Sequence, residues 1–323
     1  MIAESSELIA DSFLGRDGSN LMIVDCYTHT WESADQLGRC VPLFGDRAGA
    51  QTDTVGPQSA GPARHLAAAE PVDATIVLGF KAHYLDAEIS NDQIASHVKR
   101  NPGRLIGFAG IDPSRPKEAS AELRRAHDEL SMPGIAVAPA AQDFHPSNSQ
   151  AMLVYAEAAE LGMPIIFHSG VFLTAAAKLE YARPFLLDEV ARELPDLKII
   201  IAHVGHPWVN ETVVLLAKHK NVYAETSWLL HQPWQAYHAL VTAYQYGVMD
   251  KLLFGSGFPS AAASYCIEFL YSINHLCHGT NLPTIPREQL RGIVERDTLS
   301  LLGIPDPRPK AALQPASVLS EDE

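Results

Sequence analysis

Short runs of apolar residues recur down the chain, each ended by Gly, Pro or a polar residue. They fall at 21–25, 74–80, 104–111, 134–138, 164–168, 198–203, 221–226 and 251–255. The runs are continuous rather than alternating, as in Thr75-Ile-Val-Leu and Ile199-Ile-Ile-Ala. Continuous runs fit parallel strands covered on both faces. After a long first gap, most of them start about thirty residues apart, the length of a βα unit. Helical patterns fill the intervals at 92–100, 116–130, 147–161, 184–194, 210–218 and 234–246. In 147–161, Met152, Leu153, Tyr155, Ala156, Ala159 and Leu161 make an apolar stripe, and Gly162 stands where a helix stops. Eight strands alternating with helices predict a parallel α/β fold, and eight strands close a (β/α)8 TIM barrel. An open doubly wound sheet is the alternative. It is usually marked by a Gly-rich turn after the first strand, and Asp25-Cys-Tyr-Thr-His-Thr-Trp has no Gly. An irregular α/β arrangement is the bland reading.

Three segments stand outside the eight units. Residues 1–20 form an N-terminal extension. Their acidic start, with no basic and apolar stretch, does not read as a signal peptide. Residues 30–73, rich in Gly, Pro and Gln, would leave the end of the first strand as a lid-like insertion over the active face. A final helix is expected over 286–302. The Pro-rich, acidic 304–323 reads as a disordered tail. The barrel itself would span 21–303.

Composition narrows the partners. The 323 residues carry 24 Lys+Arg against 38 Asp+Glu, a formal net charge of −14. That balance argues against nucleic acid or an anionic membrane surface as the partner. A small-molecule substrate or ligand is expected instead. No apolar run reaches the ~18 residues of a membrane span. Cys26, Cys40, Cys266 and Cys277 form no C-x-x-C pair, and free thiols suit a reducing cytoplasm. No Walker loop, Gly-x-Ser-x-Gly elbow or dinucleotide fingerprint is present.

The informative histidines are three of the 14. His29, His168 and His203 each lie at the carboxyl end of a predicted strand, where barrel active sites are built. Imidazoles converging there bind a divalent metal or move protons. One alone would more often be a hydrogen-bonded structural residue. His65, His97, His127 and His219 are expected on the solvated surface.

Five phrases make the chain recognisable. They are Asp25-Cys-Tyr-Thr-His-Thr-Trp, Arg104-Leu-Ile-Gly-Phe-Ala-Gly-Ile-Asp-Pro, Gly162-Met-Pro-Ile-Ile-Phe-His-Ser-Gly, Ile201-Ala-His-Val-Gly-His-Pro-Trp and Lys251-Leu-Leu-Phe-Gly-Ser-Gly-Phe-Pro. With them the sequence resembles the amidohydrolase-related family of the amidohydrolase superfamily, in its aminocarboxymuconate-semialdehyde-decarboxylase-like branch. The resemblance implies a barrel holding a divalent metal, often zinc, on strand-one histidines, the strand-five His and a strand-eight Asp. It also implies a homodimer. His29 and His168 match metal positions. His203 matches the strand-six residue that polarises or protonates substrate.

Two positions depart from that pattern. Tyr27 stands at the first strand-one His, and Gly257 at the strand-eight Asp. A phenol titrating near ~10 is a poor zinc ligand, and glycine offers none. Ala136 stands where relatives often carry Lys. Glu225 is the candidate substitute as ligand or base, with a solvated or hydrogen-bonded rim residue as the bland reading. His206, Trp31, Trp208 and Trp228 are candidates for the substrate pocket, with core packing as the alternative for the tryptophans. Three functions follow. The first is a diverged hydrolase or decarboxylase of a small carboxylate, lactone or amide, with weak or absent metal on His29, His168 and Glu225. The second is a metal-free lyase or lactonase using His203, with Tyr27 donating to an oxyanion. The third is a non-catalytic barrel that binds a small molecule or a partner.

Overall fold

The computed structural model describes residues 22–43, 60–169 and 174–308. Eight parallel strands form one sheet in sequential order: β1 (Val24–Thr28), β2 (Ala74–Leu78), β3 (Leu105–Gly110), β4 (Gly134–Val137), β5 (Ile165–Phe167), β6 (Ile199–Ile201), β7 (Val222–Glu225) and β8 (Leu252–Leu253). Helices alternate with them. They are α1 (Pro62–Ala68), α2 (Asn91–Arg100), α3 (Pro116–Asp128), α4 (Ser149–Glu160), α5 (Leu187–Glu193), α6 (Val209–Lys218), α7 (Pro233–Gln245), α8 (Ala263–Ser272), α9 (Arg287–Val294) and α10 (Thr298–Leu302). The arrangement is the (β/α)8 barrel that the sequence predicts.

Period-two alternation sorts the strand side chains into two layers. Val24, Ile76, Leu78, Ile106, Phe108, Ile166, Ile200, Tyr223 and Leu253 fill the barrel interior. Val77, Ile135, Ile165, Phe167, Ile199, Ile201 and Phe254 pack against the helices. Because both faces are buried, the strands read as continuous apolar runs. Leu299 and Leu302 of α10 join Met22 and Val24 in the interior cluster, so the last helix plugs the amino-terminal end.

The sheet closes between β1 and the segment after β8. Cys26 N donates to Phe254 O at 2.9 Å, Gly257 N to Tyr27 O at 3.0 Å and His29 N to Phe258 O at 2.9 Å. The buried Asp25 carboxylate joins the same seam, accepting from Ser256 N at 2.9 Å and Tyr27 N at 3.3 Å. Burial pushes Asp25 up to about 6.

Three expectations are revised. The first strand runs three residues later than 21–25, because polar Asp25 and Thr28 are strand residues satisfied within the barrel. Thr28 Oγ1, for example, donates to Ile76 O at 2.8 Å. The final helix is two helices. Arg296 leaves the helical path to donate to Leu252 O and Met249 O, each at 3.0 Å. Asp297 then caps α10 through Ser300 N. His65 and His97 are not surface residues. They are buried and bonded to each other at 3.1 Å, and His65 Nε2 reaches Thr28 Oγ1 at 3.0 Å.

A short antiparallel hairpin, Phe80–Ala82 with Ala87–Ile89, follows β2. Residues 34–43 pack beside it. A Cβ on Gly38, whose φ is +47°, would stand 2.2 Å from Asp86 O, so this contact requires glycine. The extension 1–20, the middle of the expected lid (44–59) and the tail beyond 308 lie outside the described residues. Among the described residues, no helix is long and apolar enough to cross a membrane, and the four cysteines are free and buried.

Replacing Asp25 with Ala leaves the Ser256 N–H without its acceptor at the seam. We expect a loss of about 2–4 kcal/mol in urea unfolding, with a smaller loss for Asp25→Asn, which keeps an acceptor oxygen. Equal stability of Asp25→Ala and the unsubstituted protein would refute this account of closure.

Candidate active site

The carboxyl ends of β1, β5, β6 and β7 bring Tyr27, His29, His168, His203 and Glu225 to one end of the barrel. Tyr27 stands among the three imidazoles. Its ring centroid is 5.1 Å from that of His29, 5.8 Å from His168 and 4.9 Å from His203, and the last two are 4.9 Å apart. The Tyr27 hydroxyl is hydrogen-bonded to His168 Nδ1. Burial, aided by the Glu225 carboxylate, holds that phenol well above its usual 10. It is therefore the donor, and the His168 proton sits on Nε2. His29 Nδ1 lies 3.3 Å from the Leu78 carbonyl, which fixes its proton on Nδ1. Burial lowers all three imidazoles, His29 to about 4, His203 to about 3 and His168 well below 6.5. The site is thus three neutral histidines around a neutral phenol at pH 7.

Behind His203 runs a row of polar groups. Glu225 is wholly buried, with 0 % exposure. It accepts from His203 N at 2.7 Å, Ser227 N at 2.6 Å and Ser227 Oγ at 2.8 Å. Ser227 Oγ lies 2.8 Å from His203 Nδ1. Burial raises Glu225 to about 7 despite those donors. A Cβ at Gly255 would lie 2.2 Å from Glu225 Oε2, so the chain after β8 crosses the carboxylate only as glycine. His203 and Val204 both adopt left-handed backbone, with φ of 57° and 48°. A β-branched residue there is strained, and the bond from His203 N to Glu225 helps hold the turn.

Glu225 is hydrogen-bonded, as one expectation had it, but it is not on a solvated rim: it is a fully buried carboxylate beneath His203. Ser227, which links the two, gained no role from the sequence, although it stands two residues past Glu225 in the strand-seven phrase. None of the four pocket candidates is among the residues lining the cleft at His29 and His168. Trp31 is in the core at 1 % exposure. Trp208 packs on the small cluster of Ala82, Leu85, Ala140 and Ala141. His206 and Trp228 pair at 5.4 Å, with Trp228 6.4 Å from His203. The cleft at His29, His168 and Tyr27 holds about 250 Å³, counting space open to solvent. Its other walls include Leu78, Phe80, Lys81, Ala136, Val137 and Ile166.

The chain matches the family described as Amidohydrolase over residues 24–293. The chain belongs to the amidohydrolase family. It is 26% identical over 134 residues to the 2-amino-3-carboxymuconate-6-semialdehyde decarboxylase of Dictyostelium discoideum, a match that spans 37% of each chain. An uncharacterised TIM-barrel protein from Bordetella bronchiseptica superposes with a TM-score of 0.67 at 21% identity, over 87% of this chain and 98% of that one. A dihydroxybenzoic acid decarboxylase from Polaromonas sp. JS666, solved with manganese and 2-nitroresorcinol, gives 0.61 at 16% identity, over 88% and 97%.

A divalent metal is therefore to be tested against this amidohydrolase's own donor set. Tyr27 fills the space among the histidines and hydrogen-bonds to His168 Nδ1. Gly257 supplies no donor, has φ of +73°, and leaves a Cβ only 3.1 Å from Trp228 N. Glu225 is engaged with Ser227 and the His203 backbone rather than with His29 or His168. Among the described residues, no group of three or more His, Cys, Asp or Glu is arranged to hold a metal ion. The residues present do not fit the family's metal, because a catalytic zinc wants three protein ligands and an anionic or imidazole donor at each.

Two predictions follow from these groups. Protein expressed with added zinc and desalted without chelator is expected to carry under about a tenth of a metal per chain by mass spectrometry. A value near one would mean that the cluster rearranges around an ion. The second concerns acid. Buried His29, His65 and His203, with folded values of about 4, 3 and 3, lie below the ordinary 6.5, as does His168. Their stabilising effect is full above pH 6.5 and is lost as pH falls below it, since the unfolded chain then binds more protons. Asp25 and Glu225, raised to about 6 and 7, act in the opposite sense. Four histidines outweigh two carboxyls, so urea midpoints should fall steadily between about pH 6.5 and 4.5. A flat profile there would contradict the neutral cluster.

Proposed function

We propose that this amidohydrolase is a metal-independent decarboxylase of small aromatic or unsaturated carboxylates, with His203 as the group that delivers the proton. The observation that carries the reading is the row from Glu225 through Ser227 to His203 Nδ1, with steps of 2.8 Å each. The decarboxylases among its relatives support the substrate class.

The row is a proton store with one end at the site. Glu225, at about 7, is protonated in a large fraction of molecules near neutrality. With Glu225 ionised, Ser227 Oγ donates to it and His203 Nδ1 donates to the Ser227 carbonyl oxygen at 3.2 Å. Protonation of Glu225 reverses the row, so that Glu225 donates to Ser227 Oγ, Ser227 Oγ donates to His203 Nδ1 and the imidazole proton sits on Nε2. In that form the Glu225 proton moves to Ser227 Oγ as the Ser227 proton moves to His203 Nδ1. His203 then gives its Nε2 proton to the substrate carbon bearing the carboxylate. The C–C bond breaks, its electron pair stays with the carbon skeleton, and carbon dioxide leaves. Glu225 is left ionised and regains its proton from solvent. Tyr27 and His168 act as neutral hydrogen-bond donors and add no charge, which keeps the leaving carboxylate in apolar surroundings that favour its conversion to a neutral gas.

The test is release of carbon dioxide from a panel of hydroxybenzoates, before and after dialysis against EDTA. We expect turnover that survives the chelator and falls about 10²–10⁴-fold in His203→Asn. The rate should decline as pH rises through about 7, where Glu225 loses its proton, and this step should vanish in Glu225→Gln. Activity lost to EDTA and restored by manganese would overturn the metal-free mechanism. Binding of these acids with no turnover would make the protein a binding barrel.

A further inference from the structure

We infer that Trp228 is the platform on which the substrate ring lies beside His203, and that its indole sets a preference for flat, aromatic acids over saturated ones. This inference rests on the carboxylate reading above but not on turnover.

Trp228 follows β7 and forms the apex of a very tight turn. Leu229 N donates to Ser227 O at 2.7 Å, so the turn closes over a single residue. That residue is Trp228, with φ of 62° and ψ of −40°. These angles lie near those of the γ-turn with positive φ, which is rare and strained. Glycine takes such a backbone without strain, and a bulky side chain there is an outlier.

The turn itself has a clear use. Ser227 O, which closes it, also lies 3.2 Å from His203 Nδ1, and Ser227 Oγ lies 2.8 Å from the same nitrogen. The turn therefore fixes the serine against His203. The chain after β8 leaves room for it: a Cβ on Gly257 would stand 3.1 Å from Trp228 N and 3.2 Å from Ser227 Cβ. None of these contacts asks for an indole. A glycine at 228 would keep every one of them and would relieve the strain.

What the indole adds is its place. Its ring centroid lies 6.4 Å from that of His203 and 5.4 Å from that of His206. Trp228 and His206 are partly exposed, whereas Tyr27 and Glu225, the other neighbours of His203 in its polar surroundings, are buried. Aromatic rings pair with centroids about 4.5–7 Å apart, so a substrate ring lying on Trp228 comes within reach of His203. Backbone strain that persists beside a reactive group points to a use for the side chain that causes it. The indole carries no charge, so it selects through its π face. The substrate class is a one-ring planar carboxylate, seated on Trp228 with its reacting carbon toward His203.

Benzoate and cyclohexanecarboxylate carry the same carboxylate on six-carbon rings, and only benzoate has a π face. Binding of each is measured by calorimetry on the full chain. We expect benzoate to bind about 2- to 10-fold tighter, the range for an aromatic pair. A wall that is merely apolar would instead favour the cyclohexane ring, which has the larger apolar surface. Trp228→Gly keeps the turn and should erase the preference, and Trp228→Phe should restore most of it. The urea midpoint of Trp228→Gly should lie above that of Trp228→Ala, which keeps a Cβ at positive φ. No preference in the unsubstituted protein, a preference that survives Trp228→Gly, or the reverse order of midpoints would overturn the inference. A Trp228-dependent preference without carbon dioxide release from hydroxybenzoates would instead sink the decarboxylase reading and leave this one standing.

Discussion

An eight-stranded sheet has two edges, and everything at the candidate site depends on how they meet. β8 is two residues long, so ladder pairing alone does not close the barrel. Closure is made by the chain beyond it, through backbone bonds at Phe254, Gly257 and Phe258 and through Asp25 on Ser256. Those bonds fix the alternate residues Tyr27 and His29. They also fix Gly255 over Glu225, and so the height of the row that ends in His203. At the seam Gly257 contributes only backbone, and a phenol stands among the histidines.

The charge state of such a site depends on whether a metal sits in it. A bound dication is the largest local charge and holds nearby acids ionised. With the donor set of this chain, burial governs instead. Imidazoles fall to about 3 and 4, and carboxyls rise to about 6 and 7. The group that can exchange a proton at neutral pH is then not a rim histidine but the carboxyl beneath it. Ser227 is what makes that proton available at His203.

Much of this was legible in the sequence, and the limits are physical. The strands were readable because both faces are buried, which leaves continuous apolar runs such as Ile199-Ile-Ile-Ala. β1 was misplaced because its polar residues are satisfied across the barrel, a fact no local pattern carries. His65 and His97 looked solvated for the same reason: each is the other's partner at a sequence distance of 32. The strand-end histidines were found because position on this fold implies convergence. Glu225 was found but set at the wrong depth. Lys81, which lines the cleft, was missed, since a lysine past a strand end is an unremarkable surface residue until the hairpin turns it to the cleft. A scan for any cation within three residues of a strand's carboxyl end would have raised it.

The backbone at His203 and Val204 bears on whether this barrel does chemistry or only binds. Two consecutive non-glycine residues in the left-handed region are strained by about 1–3 kcal/mol each. The turn is held by a carboxylate that is itself wholly desolvated. Stability alone would favour a glycine turn and an apolar residue at 225. A pocket needed only for shape would not require His203 Nδ1 to face a hydroxyl joined to a titratable acid. What the arrangement secures is the orientation of one imidazole and its connection to a proton. Both properties are what the proposed proton transfer requires.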